Sequence, residues 1–453
     1  MDGIKKKVIM VTYYWPPAGG IGVLRCLKLA KYLTRLGWEP VIFTSSSDAY
    51  QFLDDKNNAD IPEGLEVIRI RAFNPIAAFK LFSGRKKDTP LIDILATPSK
   101  KNRWLDAIGL WVRGNFFIPD ARAFWIGPAE RRIRQWLKHH HADAIFSDGP
   151  PHSNTVVANR IAEAFDLPWI ADFQDPWTQV DYYEHMRIGR RAHRIHTRLE
   201  QNALRRADAI TIASPTWASD LEAIGAGDVE VLYYGYDEAD FKGYKARNEN
   251  RQIIFHGGLL GNDRNPEPLV KALRRMKNEG MEEVEGLQIR LAGGVSPDVV
   301  GGLEEAGLAS ELTLLGMVSR MDVIDEIAGA GLLLLPINVA PNCKGRVPGK
   351  LFELMRSGKP ILALGPVDGD VARLLEETGT GKIFDYDDVE GVYQFLLDFF
   401  RKGLDVSKQG RMAVSELSNE AGAMKLSRLL DEAVAKRRSE VGRQNHPIQN
   451  RYP

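Results

Sequence analysis

Cysteine is scarce in this 453-residue sequence, which has only Cys26 and Cys343. Two cysteines are too few for a disulfide framework, and they lack the spacing of a zinc site. This excludes a small disulfide-stapled secreted domain and agrees with a protein of the reducing cytoplasm. We interpret both residues as small core or loop residues.

The sequence also has no excess of charge of either sign. Lys and Arg number 60, Asp and Glu number 60, and the formal net charge is zero. A general nucleic-acid-binding protein carries a basic excess because it must neutralise phosphates, so we expect no nucleic-acid partner. Hydrophobic residues make up 44% and charged residues 26%, which is typical of soluble globular domains.

Long hydrophobic runs are absent as well. The longest apolar stretches are residues 8–12, 328–337 and 360–366. None approaches the roughly 20 residues that a membrane-spanning helix needs. The basic N-terminus is followed by a break at Pro16 and Pro17, so we expect no signal peptide either.

What the sequence does contain is an alternation of short strand-like runs with helical patterns, which predicts parallel sheets covered by helices on both faces. The predicted strands are residues 7–12, 40–44, 66–70, 144–147, 169–172, 209–213, 229–233, 252–256, 288–292, 312–315, 331–336, 361–364 and 382–384. A polar stretch at residues 236–251 separates two such series and is interpreted as a linker. The predicted fold is α/β, with two doubly wound Rossmann-like domains facing an interdomain cleft.

The predicted domains are residues 1–240 and 250–415, followed at 416–453 by a helix that returns to the first domain and then a polar tail from residue 436 onwards. Residues 74–125 interrupt the first domain and mix basic with aromatic side chains. This insertion is either a helical element that buries its aromatic residues or a surface for an acceptor or for lipid headgroups. The second alternative predicts a peripheral membrane contact.

The first glycine-rich loop, residues 13–25, lies between a predicted strand and a predicted helix. Gly20 and Gly22 would let backbone N–H groups approach a phosphate at the start of the helix. The third glycine of a dinucleotide fingerprint is replaced by Arg25, and no acidic residue ends the second strand, so a nicotinamide cofactor is not expected. A purely structural turn is the alternative.

Two further motifs carry charges suited to a nucleotide. In one, Gly349 ends a turn, Lys350 begins a short helix, and Glu353 follows one turn later, so the motif offers an ammonium for a diphosphate and a carboxylate for a ribose. The alternative is a surface ion pair between residues i and i+3. In the other, Gly258 and Arg264 follow a strand, and the arginine is either a diphosphate clamp or a solvated loop residue.

Together these motifs resemble the GT-B-fold glycosyltransferases of the family 4 type. The first loop resembles the family's Pro-Pro-x-x-Gly-Gly-x-x-x-Arg opening, and Lys350-Leu-Phe-Glu353 with the segment 357–361 is similar to its signature helix. The resemblance implies transfer of a sugar from a nucleotide-sugar donor with retention of configuration. It implies no cofactor and no required metal, and a glycan or lipid-linked acceptor in surface polysaccharide biosynthesis.

The resemblance also implies roles on the donor side. Glu353 would hold the ribose, while Lys350 and Arg264 would hold the diphosphate and stabilise its departure. Backbone atoms of residues 315–318, which we call the base-reading segment, would read the nucleobase, and glycine-lined loops would close around the donor. These remaining donor-side residues are Gly20, Gly22, Gly258, Gly316, Val318, Gly349 and Leu351. One departure is Gly345, which stands where many members carry a second glutamate facing the donor sugar.

His152 is predicted as a catalytic residue near the transferring sugar, which it would hydrogen-bond or whose positive charge it would steady; a structural loop histidine is the alternative. Three aspartates and one arginine are predicted on the acceptor side. Asp172 and Asp175 resemble the family's Asp-x-x-Asp-x-Trp segment, and Asp175 is equally interpreted as a cap of the next helix. Arg25 and Asp120 complete the predicted acceptor side.

Two alternatives to a transferase stay open at this point. One is a nucleotide-sugar epimerase of the same fold, which would need acids or bases around the sugar ring and no acceptor site. The other is a non-catalytic nucleotide-sugar or glycan-binding relative, suggested by the missing glutamate at Gly345.

Overall fold

The protein is described from a computed structural model that covers residues 5–50, 53–73, 103–181, 183–244, 250–404 and 408–444. The chain divides into two compact units. The first unit runs to Tyr233 and resumes at Gly422, and the second comprises Tyr234–Ala421. The division therefore falls slightly before the predicted linker.

The first unit is built on a seven-stranded parallel sheet with the order β3-β2-β1-β4-β5-β6-β7. Its central strands are buried on both faces, which is why they show continuous apolar runs in the sequence. The strands are β1 Lys6–Val11, β2 Trp38–Ser45, β3 Glu66–Ile70, β4 Ala144–Gly149, β5 Trp169–Phe173, β6 Ala209–Ile212 and β7 Val229–Val231.

Helices cover both faces of this sheet. The described helices of the first unit are α1 Ile21–Leu33, α2 Arg103–Phe116, α3 Ile126–Leu137, α4 Ser153–Phe165, α5 Arg190–Arg206 and α6 Pro215–Ala223.

The second unit repeats the plan with six parallel strands in the order β10-β9-β8-β11-β12-β13. These are β8 Asn250–Gly257, β9 Gln288–Ala292, β10 Leu312–Gly316, β11 Ala330–Pro336, β12 Ile361–Leu364 and β13 Gly381–Phe384. Its described helices are α7 Glu267–Asn278, α8 Pro297–Glu305, α9 Arg320–Gly329, α10 Lys350–Ser357, α11 Asp370–Thr378, α12 Val389–Lys402 and α13 Lys408–Ser415.

A last helix, α14, spans Asn419–Gln444 and packs mainly on the first unit. Leu426 and Leu430 are fully buried in the same core cluster as Val8 and Met10 of β1. The helix therefore closes one face of the first sheet. It extends through residues 436–444, which the sequence pattern had assigned to a polar tail.

Every predicted strand is present, with ends that differ by at most two residues. The predicted linker is wrong in part, because Asn250 and Arg251 belong to β8, and residues 236–244 pack on the second unit. Tyr236 and Phe241 are buried there, and the Asn419 N–H donates to the Tyr236 carbonyl at 2.7 Å. A short apolar anchor is hard to see in a stretch that is otherwise polar.

Much of the predicted insertion, residues 74–102, lies outside the described residues, as do residues 445–453 of the tail. The described remainder of the insertion forms α2 and the 3-10 turn Ala123–Trp125. Along the described parts of the chain, no helix has the length and apolar character needed to cross a membrane.

Candidate active site

The second sheet has a switch point between β8 and β11, where the order of the strands reverses. In open parallel sheets, ligands bind outside the carboxyl ends of the strands at such a point. The loops that follow β8 and β11 are tied together here, since the Val339 N–H donates to the Asp263 carbonyl at 2.7 Å. Lys350, Arg264 and Gly258 all lie on these two loops or directly after them.

Lys350 is the first residue of α10, which Gly349 precedes as the N-cap. Its Nζ lies 3.2 Å from the carbonyl oxygen of Gly257 and 3.4 Å from Nε2 of His256. Burial, with a smaller contribution from the charge of Arg264, lowers the pKa of Lys350 to about 7. No carboxylate pairs with this lysine within the described ranges, so an incoming anion would be the group that stabilises its charge.

His256 contacts the ammonium group of Lys350 through its ring. Its Nδ1 lies 2.9 Å from the carbonyl oxygen of Leu334, which can only accept, so Nδ1 carries the proton and Nε2 offers a lone pair to Lys350. Burial, then the charge of Lys350, lowers the pKa of His256 to about 3 and keeps the imidazole neutral. Sequence reasoning missed this residue, although its place at the end of β8 was a signal.

The backbone conformation of Gly258 favours glycine, and the residue lies close to Lys350. Its φ is +128°, and an added Cβ would lie 3.1 Å from Nζ of Lys350. Gly293 on the next loop is as restricted, because a Cβ there would lie 2.3 Å from the Gly258 carbonyl oxygen. The glycine motif therefore makes room for the ammonium.

Arg264 ends a 3-10 turn, Asn262–Arg264. Its guanidinium pairs with the neighbouring Asp263, with Nη2 at 2.8 Å from the carboxylate, and it keeps about a quarter of its side chain exposed (26%). Its charge is close enough to contribute to the lowered pKa of Lys350. The structure thus brings the two predicted diphosphate ligands together.

Glu353 lies one turn into α10 but does not pair with Lys350, so the alternative of an i,i+3 ion pair is wrong among the described residues. Its Oε1 accepts a hydrogen bond from Nη2 of Arg320 at 2.5 Å. Arg320 is the first residue of α9, and no motif in the sequence identifies it. Its position shortly after the predicted base-reading segment is the one signal that the sequence offers. Gly316 and Val318, the residues of that segment, follow β10 directly.

Two other donor-side predictions have a structural setting. Leu351 has a fully buried side chain, and its N–H donates to the Pro348 carbonyl at 2.9 Å, which commits it to the core of the second unit. Gly345 is also buried, in the 3-10 turn Cys343–Gly345. The position at which relatives carry a second glutamate therefore supplies backbone only.

In the first unit, Gly20 and Gly22 lie at the equivalent switch point, between β1 and β4. Gly20 has a φ of +107° and caps α1, and Gly22 faces the side-chain oxygen of Gln174, 3.4 Å from an added Cβ. The backbone conformation at Gly20 therefore favours glycine, whereas Gly22 has room for a Cβ. Its predicted contact with a donor stays a prediction.

His152 lies at the start of α4 and stacks on Trp177, with ring centroids 4.3 Å apart and planes 2° from parallel. Burial lowers the pKa of His152 to about 3, so the ring is neutral. Its Nδ1 is buried and has no hydrogen-bond partner among the residues described. A neutral imidazole favours the hydrogen-bonding role over the charged one.

Arg25 and Asp172 form a buried ion pair. Nε and Nη2 of the arginine lie 2.8 and 2.9 Å from the two carboxylate oxygens, and the Thr211 hydroxyl donates to the same carboxylate at 2.6 Å. Both side chains are almost fully buried. Neither side chain therefore has the exposed surface that the predicted acceptor contact requires. The pair instead joins α1 to β5 and β6.

Asp120 and Asp175 also differ from expectation. The Asp120 carboxylate accepts hydrogen bonds from the N–H of Ser153 at 2.8 Å and from its hydroxyl at 2.9 Å, so it fixes the start of α4 next to His152. The predicted cap at Asp175 is wrong, because α5 begins after Gly189, and the short 3-10 turn before it begins after Tyr183.

Solved structures share this fold over nearly the whole chain. Sucrose-phosphate synthase from Thermosynechococcus elongatus has a TM-score of 0.60 at 16% identity, covering 95% of this chain and 100% of that one. Anabaena HepE in complex with UDP has a TM-score of 0.59 at 14% identity, covering 94% and 100%. The lipopolysaccharide outer core galactosyltransferase WaaB has a TM-score of 0.56 at 12% identity, covering 94% and 99%. The architecture is therefore the two-domain GT-B fold.

Two family models match the sequence itself. One, described as a glycosyl transferase 4-like domain, covers residues 19–235, and the other, described as glycosyl transferases group 1, covers residues 250–401. No curated protein matches. The chain belongs to the GT-B-fold glycosyltransferases of the family 4 type, which favours the transferase over the epimerase.

Proposed function

We propose that this glycosyltransferase takes its sugar from a nucleotide-sugar donor bound at the β8–β11 switch point of the second unit. We further propose that the transfer retains the anomeric configuration. The proposed acceptor is a glycan or a lipid-linked molecule in surface polysaccharide biosynthesis. The observation that carries it is the buried Lys350, which has no carboxylate partner in the described parts of the chain.

A buried cation costs free energy unless it is paired. The pKa of Lys350 is lowered, so the side chain can lose its proton and avoid this cost. A bound diphosphate would stabilise the protonated form and supply the missing anionic partner. Arg264 adds a guanidinium, which suits phosphate oxygens. A nucleoside diphosphate fits this pair of charges, and the HepE structures contain UDP and UDP-glucose.

In the proposed reaction, the bond between the anomeric carbon and the diphosphate oxygen breaks, and its electron pair stays on that oxygen. Lys350 and Arg264 stabilise the negative charge as it grows there. The acceptor hydroxyl oxygen bonds to the anomeric carbon on the same face, and its proton passes to the departing phosphate oxygen. The configuration is thereby retained without a protein carboxylate as base.

The acceptor is assigned to the first unit, with His152 as a neutral hydrogen-bonding group. This assignment rests on the family resemblance and on the stacked, uncharged state of the imidazole. The polysaccharide role rests on the similarity to WaaB, a lipopolysaccharide galactosyltransferase. A peripheral membrane contact through residues 74–125 stays part of the proposal only as a sequence-based prediction.

The first test is thermal unfolding of the protein with UDP, GDP, ADP, CDP and their common sugar conjugates. A ligand at about 100 times its Kd adds about 2.7 kcal/mol of stability, which raises Tm by several degrees. Glu353→Ala should abolish the shift, while Glu326→Ala, which removes a similarly exposed carboxylate of the same unit, should keep it. No shift with any nucleotide would contradict the proposal.

Retention is tested separately, once a donor is known. The protein is incubated with that donor and a set of simple glycosides, and the anomeric configuration of the product is read by NMR. A product with the configuration of the donor supports the proposed mechanism, and an inverted product refutes it.

A further inference from the structure

The side chain of Glu353 pairs with Arg320, which belongs to none of the sequence motifs described above. Nη2 of Arg320 lies 2.5 Å from Oε1 of Glu353 and 2.8 Å from Oδ2 of Asp240. Glu353 comes from α10, Asp240 from the 3-10 turn Glu238–Phe241, and Arg320 from the start of α9. One guanidinium therefore bridges two carboxylates from separate parts of the second unit.

The backbone around Arg320 is itself fixed. Ser319 and Asp322 form a capping box, in which the Asp322 N–H donates to the Ser319 hydroxyl at 3.2 Å and the Ser319 N–H donates to the Asp322 carboxylate at 3.0 Å. This cap follows β10 and the segment of Gly316 and Val318. Arg320 thus links the predicted base-reading segment to the predicted ribose carboxylate.

The bridge leaves part of Glu353 available. A carboxylate has about four lone-pair positions, and Arg320 uses only Oε1. No other residue described in the structure hydrogen-bonds to Glu353, and its side chain is 16% exposed. Oε2 can therefore accept from the two neighbouring hydroxyls of a ribose.

We propose that Arg320 is the positioning residue that makes the donor site prefer ribonucleotides over 2′-deoxyribonucleotides. This inference rests on the proposed function. A free glutamate side chain loses rotamer freedom when it binds a sugar, whereas Glu353 has already lost it to Arg320. Anchored on Asp240, the guanidinium of Arg320 also keeps its place beside Glu353 when no ligand is bound.

The test compares the affinities of UDP, GDP, ADP and CDP with those of their 2′-deoxy counterparts, by calorimetry on the full chain. The parent should bind the best ribonucleotide about tenfold to a hundredfold tighter than its deoxy form, the range expected for hydrogen bonds to a charged group. In Arg320→Met, this ratio should fall to about threefold or less. Arg320→Lys, which keeps the charge but not the fork, should give an intermediate ratio.

Two controls separate positioning from general damage. Inorganic pyrophosphate should bind Arg320→Met as it binds the parent, since Lys350 and Arg264 are unchanged. Arg290→Met removes an arginine of similar exposure that pairs with Glu326 in the same unit, and it should keep the parent ratio.

Each result decides the matter. If the parent prefers ribonucleotides and Arg320→Met keeps that preference, the inference is wrong and the proposed function stands. If the parent binds ribo and deoxy forms equally, or if Arg320→Met also loses pyrophosphate, the positioning role is wrong. If the parent binds no nucleotide at all, the proposed function itself fails.

Discussion

The two units share a strand order but differ in the charges at their switch points. In the first unit, Arg25 and Asp172 neutralise each other in the interior, and His152 is neutral. In the second, Lys350 is buried against a carbonyl and a neutral imidazole, with no carboxylate partner within the described residues. The first unit also buries Asp148 at the end of β4, where burial, with the charge of Asp172, raises its pKa to about 7. The same topology therefore carries an ion pair beside a carboxyl group of raised pKa in one unit, and a cation without a carboxylate partner in the other.

This difference indicates which of the two switch points is suited to bind an anion. A paired buried charge contributes to the stability of the fold, and breaking the pair leaves the partner uncompensated. An unpaired buried charge destabilises the fold and is retained where function needs it. Substitutions at the two switch points test this contrast.

Arg25→Met should destabilise the first unit by about 3–5 kcal/mol, because Asp172 would stay buried without its cation. All nine tryptophans lie between residues 15 and 217, so tryptophan fluorescence during urea unfolding reports on this unit. Arg191→Met, at an exposed position of α5, should change stability by no more than about 0.5 kcal/mol. Equal unfolding curves for Arg25→Met and the parent would show that the pair is not stabilising.

Lys350→Met should weaken ligand binding without lowering the stability of the fold. Pyrophosphate and nucleoside diphosphate affinity should fall about a hundredfold, the cost of losing a charged hydrogen-bonding partner. Stability should stay the same or rise by about 1 kcal/mol, because a strained cation is removed. Far-UV circular dichroism and calorimetry measure the two effects. A loss of stability like that of Arg25→Met would remove the contrast between the units.

Gly258→Ala should cost about 1–3 kcal/mol, since alanine is strained at this φ and its Cβ would crowd the ammonium of Lys350. Pyrophosphate affinity should fall with it. Gly280→Ala is the matched control: its φ is +67°, but nothing lies within 4 Å of the added Cβ, so only stability should respond. Unchanged affinity in Gly258→Ala would separate the glycine from the site.

The smallest effect is a pH dependence of binding. The folded pKa of Lys350 is about 7 against an ordinary 10.5, so between these values the unfolded state binds more protons and stability rises with pH. Ligand binding has the opposite slope, because above pH 7 the free lysine must take up a proton to bind the anion. Affinity should fall by up to about tenfold per pH unit there.

Calorimetry in buffers of different ionisation enthalpy measures this proton uptake directly. Near pH 8.5 the parent should take up close to one proton per pyrophosphate bound. Lys350→Arg keeps a charge that does not titrate in this range and should bind without the slope. A parent without proton uptake would show that Lys350 is already charged in the free protein.

Most of the fold could be predicted from the sequence, because parallel strands buried on both faces leave continuous apolar runs. Glycine ends a helix where the backbone becomes left-handed, as at Gly358, which follows α10 with a φ of +72°. The linker was the main error. Its anchors, Tyr236 and Phe241, are two apolar residues within a polar stretch, too few to give a periodic signal.

The candidate site was predicted in its charges but not in its pairings. Lys350, Arg264 and Glu353 were identified from local motifs. The partners of these residues were not, since Arg320 lies 33 residues from Glu353 and His256 lies 94 residues from Lys350. Arg25 and Asp172, 147 residues apart, were both predicted to face an acceptor and instead neutralise each other.

Local periodicity and residue type are enough to predict the two doubly wound units, their glycine loops and the charged residues that follow them. Which charges are paired and which are left for a ligand depends on residues that folding brings together from distant parts of the chain. Burial without a carboxylate partner lowers the pKa of Lys350 to about 7, whereas the equally buried Arg25 has a carboxylate within hydrogen-bond distance.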